Sequence, residues 1–322
     1  MRLATAAGLR GYGDCAPLPA AGTETPELAL AQLNALLPLL CGSNPQTALG
    51  VLDESAFRAP AARCALESAL LDLLAQQAGL PLARWLNPEA PLSVRANAML
   101  GGLDEQGEPL AARVGAALAA GFSVLKLKVG MAATEVELTR LRRLAGMLPA
   151  GVSLRLDANG AWGLAQARSF VEGLSDLPIE SLEEPLAQPE IGLLQQLQGL
   201  AAFPLALDES LAQFDTATLL AEVAVRRLVL KPMVLGGVRP AYALARRAAL
   251  AGVECVATTT VDSAAGVLAA AHLAAALDNV LAHGVATSSW LLSDVGNAPL
   301  LESGRMLLNS HRYGLGFQAQ SA

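Results

Sequence analysis

The chain has 322 residues, 53% of them hydrophobic and 16% charged, and a net charge of −7. That length suits one large domain with a smaller partner, because single hydrophobic cores stop growing below it. An acidic chain with no Lys/Arg cluster excludes nucleic-acid binding, and its longest uncharged runs, Leu28 to Leu52 and Ser263 to Leu277, are broken or too short to cross a bilayer.

The N-terminus, Met1-Arg2-Leu3-Ala4, lacks the continuous apolar core of a signal peptide, so a soluble cytoplasmic protein is expected. Gly11-Tyr12-Gly13-Asp14 followed by Cys15-Ala16-Pro17-Leu18-Pro19 reads as a strand leaving into a loop. Thr25-Pro26-Glu27 opens a helix, with Thr25 as N-cap and proline at the first helical position. A second helix is predicted over Pro60 to Ala78, where Ala65, Leu66, Ala69, Leu70 and Leu73 fall at helical spacing before Gly79 stops it. These first ninety or so residues read as a small α+β unit.

From Ser93 the pattern changes, and short β-rich runs alternate with Ala/Leu-rich helical stretches. The runs are Ser93 to Asn97, Ser123 to Lys128, Ser153 to Asp157, Ser181 to Glu183, Leu205 to Asp208, Leu228 to Lys231, Glu254 to Thr258 and Val280 to His283. Strands alternating with helices predict parallel βαβ units, and this many of them predict a closed barrel. A glycine-rich dinucleotide fingerprint is absent. The four cysteines are scattered and read as buried reduced thiols. The three histidines have no metal-ligand spacing, which excludes a zinc site, and His283 reads as structural.

An ionisable residue ends strand after strand. Lys128, Asp157, Glu183, Asp208 and Lys231 are spaced 23 to 29 residues apart, about one helix plus one strand each. A barrel gathers successive strand ends at one rim, where its active site lies. Asp157, Glu183 and Asp208 form an all-oxygen donor set without His or Cys, which suits Mg²⁺, with Mn²⁺ as its substitute. Glu184 and Glu209, the adjacent acids, are expected to point away from the site into structural contacts.

Lys126 and Lys128 are two apart on one strand and so share a face. Two ammonium groups lining the barrel would repel, lowering one lysine's pKa towards that of a general base. Lys231, in Leu230-Lys231-Pro232, follows an apolar strand, where a buried amine without a purpose would be costly. Together these groups predict removal of a proton alpha to a carboxylate, giving an enediolate whose charge the metal and lysines stabilise.

Lys126-Leu127-Lys128, Asp157-Ala158-Asn159, Leu182-Glu183-Glu184-Pro185, Leu207-Asp208-Glu209-Ser210 and Leu230-Lys231-Pro232 resemble the muconate-lactonizing subgroup of the enolase superfamily. The resemblance covers most of the chain. It implies a (β/α)₇β TIM-like barrel over residues 93–299, with an α+β capping domain built from residues 1–92 and the tail 300–322. It also implies Mg²⁺ ligands at Asp157, Glu183 and Asp208 and catalytic lysines at Lys128 and Lys231, with Lys126 tuning Lys128.

Within the subgroup, the segments Gly13 to Pro19, Ala65 to Leu73 and Leu154 to Trp162 look most like the o-succinylbenzoate synthases of menaquinone biosynthesis. That likeness implies a lyase, dehydrating 2-succinyl-6-hydroxy-2,4-cyclohexadiene-1-carboxylate with Lys128 as base and Lys231 stabilising the enediolate from the other side. Dipeptide epimerase, N-succinylamino acid racemase and muconate cycloisomerase are the alternatives in the superfamily, and a non-catalytic metal-binding barrel is the alternative outside it. Dipeptide epimerases usually carry acids after the last strands, whereas this chain reads His283-Gly284-Val285-Ala286-Thr287.

The chain departs from the family pattern at Asp14, where Glu is commoner, and at Thr258-Thr259-Thr260, where serines are commoner. Met1 is expected to begin late relative to the family, so that the first capping strand is missing or misannotated. Thr258 and Thr260 are expected to touch substrate. Arg155 is read two ways, meeting a substrate carboxylate or sitting in an interior ion pair. The partner is a small-molecule carboxylate, and the sequence leaves the oligomeric state open.

Overall fold

A computed structural model describes residues 1–103, 109–309 and 311–320. Its centre is a curled, all-parallel sheet of seven strands, in chain order: β4 (Ala98–Gly102), β5 (Val124–Lys128), β6 (Ser153–Asp157), β7 (Ile179–Glu183), β8 (Leu205–Leu207), β9 (Arg227–Leu230) and β10 (Glu254–Ala257). Each strand is paired with the next in sequence, and helices connect them, the pattern of successive parallel βαβ units.

Strand periodicity explains the two faces. Leu125, Leu127, Leu154, Leu156, Leu182, Leu205, Leu207, Leu228 and Leu230 are fully buried, facing the surrounding helices. Each contributes about 1.5–3 kcal/mol of burial. The alternate positions, among them Lys126, Lys128, Arg155, Asp157 and Glu183, therefore turn to the barrel's interior.

The barrel closes through a pair of bridges rather than an eighth strand of regular length. His283 pairs with Ala96, and Gly284 pairs with Thr258, both parallel. Asn97 N donates to His283 O at 3.0 Å and Gly284 N to Ala257 O at 2.9 Å. The Val280–His283 run expected as a strand thus supplies only its last residue to the closure. The expected run Ser93 to Asn97 is also divided. Its start, β3 (Ser93–Arg95), pairs antiparallel with β12 (Arg305–Leu307), which pairs with β11 (Leu300–Glu302). The barrel strand β4 starts only at Ala98.

The N-terminal part opens with the hairpin β1 (Arg2–Ala4) and β2 (Arg10–Tyr12). Helices α1 (Pro26–Leu40), α2 (Pro45–Glu54), α3 (Pro60–Gln77) and α4 (Leu82–Leu86) follow. Thr25 caps α1 by accepting from Leu28 N, with Pro26 at the first helical position. Helix α2 was not expected. Asn44 accepts from Thr47 N at 2.9 Å and Pro45 starts the helix, the same signature that identifies α1. The tail returns to this part of the molecule, where Leu315 N donates to the buried Asp72 carboxylate at 2.8 Å. Among the described residues, no helix is long and apolar enough to cross a membrane.

Candidate active site

The ends of β5 to β9 bring the five ionisable residues into one arc. Lys128 is the register partner of Asp157, and Asp157 of Glu183. Asp208 directly follows β8, and Lys231 directly follows β9. Read around the sheet, the order is lysine, three carboxylates, lysine. All five border a cavity of about 350 Å³ at the carboxyl ends of the strands, where barrel enzymes keep their chemistry. A larger cavity, about 800 Å³, lies between β1 and helices α1 to α3, but no carboxylate or lysine lines it.

Lys126 sits deepest. Its Nζ donates to Asp157 Oδ2 at 2.9 Å and also to Glu183 Oε2. Burial opposes its charge, but the Glu183, Asp157 and Asp208 carboxylates win, and its pKa lies above the usual value. Lys231 Nζ is 2.8 Å from Asp208 Oδ2 and 3.1 Å from Glu209 Oε1. Its pKa is likewise raised, because these carboxylates outweigh its burial. Burial pushes the Asp208 carboxyl up to about 8 against the pull of Lys231.

Glu209 therefore faces the site, correcting the expectation that it points away. It lies on a one-turn helix, Glu209–Gln213, and not on the strand, so strand alternation does not govern it. Glu184 is structural. Its Oε1 accepts from Asp208 N, from Ser210 N at 3.1 Å and from Ser210 Oγ at 2.9 Å, fixing the turn that carries Asp208. Its backbone is left-handed, φ 45°, as is that of Asn159, φ 44°. Such strain for residues with a Cβ costs on the order of 1–3 kcal/mol each and clusters at functional sites.

Arg155 takes the ion-pair role. Its Nε and Nη2 donate to Glu180 at 3.0 and 3.2 Å, Nη1 to Asn97 Oδ1 at 3.2 Å and Nη2 to Ala282 O at 2.9 Å. With four donations made and 2% exposure, it is held in an interior network, and it also borders the cavity. Although burial opposes it, the Arg155 and Arg227 charges hold Glu180 down to about 2. Thr258 borders the cavity with its hydroxyl donating to Gly284 O at 2.9 Å. Thr260 borders it too, but its hydroxyl is committed to Asp262. His283 is buried, its Nδ1 accepting from Ala257 N at 3.1 Å.

Glu137, on the helix after β5, was not expected to serve the site. This buried carboxylate accepts from Gly130 N at 2.8 Å, Met131 N at 3.0 Å and Ala132 N at 3.2 Å, and so fixes the loop just after Lys128. Its signal was available, since an acid in the first turn of a helix behind a glycine-bearing loop is placed to bind free amides.

Among the described residues, no three acid, histidine or cysteine side chains are arranged as a ready metal cage. The reason is visible in the contacts, because Asp157 and Glu183 turn to Lys126 while Asp208 turns to Lys231. The donor set itself fits a hard divalent cation. It offers three carboxylates on neighbouring strand ends, Asp157 and Glu183 buried and the Asp208 side chain 6% exposed, with oxygen as the only ligand atom.

Comparison with known proteins adds an independent line. Residues 109–322 match the family described as enolase C-terminal domain-like. Residues 1–86 match the mandelate racemase / muconate lactonizing enzyme N-terminal domain. The chain is similar to a dipeptide epimerase from Enterococcus faecalis, solved in complex with Mg and the dipeptide L-Leu-L-Tyr: 29% identity, TM-score 0.88, covering 98% of this chain and 90% of that one. It is similar to the L-Ala-D/L-Glu epimerase of Bacillus subtilis, with 27% identity over 98% of this chain and 87% of that protein. The muconate lactonizing enzyme of Pseudomonas putida superposes with a TM-score of 0.86 at 27% identity, covering 99% of this chain and 90% of that one.

Proposed function

The chain belongs to the enolase superfamily, and from that membership we propose that it moves a proton at the carbon alpha to a substrate carboxylate, epimerising or racemising a dipeptide or an N-acylated amino acid. The observation that carries this reading is the arc itself, with three carboxylates flanked on either side by a lysine at the rim of one cavity. The names of the Enterococcus and Bacillus relatives support epimerisation over the lyase reaction.

In this reading Asp157, Glu183 and Asp208 hold Mg²⁺, for which Mn²⁺ can substitute. When bound, the cation polarises the substrate carboxylate and so acidifies the neighbouring C–H. Lys128 and Lys231 approach the alpha carbon from opposite ends of the arc. One takes the proton and the other returns one to the opposite face, which inverts the centre. Lys126, paired with Asp157 and Glu183, balances their charge and keeps their oxygens aimed inward. Glu209 holds the Lys231 ammonium in place.

A second reading, the dehydration of 2-succinyl-6-hydroxy-2,4-cyclohexadiene-1-carboxylate to o-succinylbenzoate, has one observation in its favour. Every carboxylate bordering the cavity is committed to Lys126 or Lys231. The segment His283 to Thr287 adds no acid that could receive the ammonium of a free dipeptide.

The deciding experiment incubates the Mg²⁺-loaded protein in D₂O with L-Ala-L-Glu, L-Leu-L-Tyr and N-succinylamino acids and follows alpha-proton signals by NMR. The cyclohexadiene is assayed beside them by ultraviolet absorbance. Deuterium entry at the alpha carbon supports epimerisation. Loss of the diene absorbance without exchange in the others selects the dehydration.

A further inference from the structure

Three further segments from distant parts of the chain border the cavity. Leu18 and Ala21 come from the loop after β2, Thr260 and Val261 from the loop after β10, and Thr287 and Trp290 from the loop after the barrel's closing bridges. They converge behind the cavity on the first turn of one barrel helix, Ala264–Ala276.

The amide of Ser263, the residue capping this helix, donates to Asp14 Oδ2 at 2.7 Å. Asp14 belongs to the segment that runs on to Leu18 and Ala21. The next amide, Ala264 N, donates to both Asp294 oxygens at 3.1 and 2.9 Å. Asp294 lies just past Trp290 and also accepts from Val295 N at 2.6 Å. Two carboxylates from two cavity-bordering loops thus occupy adjacent free amides at a helix start, where the helix dipole favours negative charge. The Ser263 side chain does not compete, because its Oγ is buried without a partner.

The third loop is tied in as well. Thr259 Oγ1 and Thr287 Oγ1 share a hydrogen bond of 2.8 Å, and Asp262 accepts from Thr260 N at 3.2 Å. The fit around Asp14 is close. A Cβ on Gly266 would come within 2.9 Å of Asp14 Oδ2 and 2.8 Å of Asp262 Cβ, so this turn of the helix must be glycine to admit both acids. On the other side, a Cβ on Gly13 would meet Ala65 O of helix α3 at 2.0 Å, so the segment carrying Asp14 lies directly on that helix. Asp14 is held between two helices and has little room to aim elsewhere.

We propose that Asp14 and Asp294 are positioning residues that pin the capping loop and the loop after the last barrel strand to one helix start, and so set the part of the cavity wall that these loops form against the substrate. Neither reaches the reacting atoms. This rests on the proton-transfer reading for its kinetic consequence, but the pinning itself does not depend on it.

The test has two arms, on Asp14→Ala, Asp294→Ala and the conservative Asp14→Asn, which keeps an acceptor for Ser263 N. In the first, hydrogen–deuterium exchange is followed by mass spectrometry in the peptides spanning 15–22 and 286–296. Asp14→Ala is expected to speed exchange in both, although position 14 adjoins only the first, and Asp14→Asn to restore the native pattern. In the second arm, with any substrate that the native protein turns over, KM is expected to rise about tenfold while kcat changes far less, since uniform binding and not the transition state is lost. Exchange confined to 15–22, or a fall in kcat at constant KM, would overturn the proposal. If no substrate is turned over, the proton-transfer reading fails alone and the exchange arm still decides the pinning.

Discussion

Lys126 on β5 donates to Asp157 on β6 at 2.9 Å, so the ammonium of one strand already balances the carboxylate of the next. A metal at the three acids would share that electrostatic task with Lys126. In Lys126→Met the buried carboxylates lose their counter-charge, which typically costs about 3–5 kcal/mol. Without metal, the Tm of the variant is expected to fall well below that of the native protein. Added Mg²⁺ is expected to raise the variant's Tm by more than it raises the native one. Equal metal-induced shifts in the two proteins would show that the ammonium and the cation do not serve the same acids.

Lys128 and Lys231 flank the acids, and the two substitutions should separate the two faces of the alpha carbon. Lys128→Ala and Lys231→Ala are each expected to lower net epimerisation by about 10²–10⁴-fold, the usual contribution of a positioned acid or base. Each variant should still exchange the alpha proton of one enantiomer with solvent, and the favoured enantiomer should differ between them. Chiral chromatography beside deuterium incorporation reads both. Loss of exchange for the same enantiomer in both variants would mean that one lysine alone moves the proton.

Two buried histidines predict an acid limit to stability. Burial holds His272 down to about 4, and burial with the Arg155 and Arg227 charges holds His283 down to about 3. Each Nδ1 accepts a backbone N–H, from Ala83 and Ala257 respectively, which a protonated ring cannot do. Folded-state values below the unfolded one of about 6.5 mean that the unfolded chain binds more protons. The contribution is therefore complete above pH ~6.5 and is lost as pH falls towards 4 and then 3. Urea midpoints measured across that range should decline from pH ~6.5 downward. In His272→Gln, which loses one of the two titrating rings, the decline should be shallower.

Glu137 offers a test of how far loop geometry behind Lys128 matters. Its carboxylate accepts three successive amides at 2.8–3.2 Å. Glu137→Ala leaves these donors without their partner, a loss of about 1–3 kcal/mol. The urea midpoint should fall with the m-value unchanged, and kcat should fall with it because Gly130 follows Lys128 by two residues. An unchanged kcat would show that the loop does not position the lysine.

Much of the arrangement was readable before any coordinates, because a barrel imposes a strict arithmetic. One helix plus one strand per unit puts residues spaced 23 to 29 apart on neighbouring strand ends. The alternation within Val124–Lys128 and Ser153–Asp157 then separates leucines from ionisable groups. What the chain hid lies where these rules stop. Glu209 sits one residue beyond Asp208 on a helical turn, so strand parity misplaces it. The fate of Arg155 depended on Glu180, Asn97 and Ala282, which are far apart in sequence and meet only on the barrel floor. Helix α2 was hidden by its own start signal, because Asn-Pro marks turns as readily as it marks helix caps. The split of Ser93–Asn97 between two sheets follows from a partner strand more than 200 residues away, beyond any local pattern.

The central claim is that the Lys–Asp–Glu–Asp–Lys arc removes a proton alpha to a carboxylate. The most direct measurement is alpha-proton exchange with D₂O by the Mg²⁺-loaded protein on the dipeptide and N-acylated panel, with the Lys128→Ala, Lys231→Ala double variant as control. The account predicts deuterium at the alpha carbon of at least one panel member, dependent on added Mg²⁺ and abolished in the double variant. Exchange that survives the loss of both lysines, or no exchange by native protein whose Tm rises on adding Mg²⁺, would contradict it.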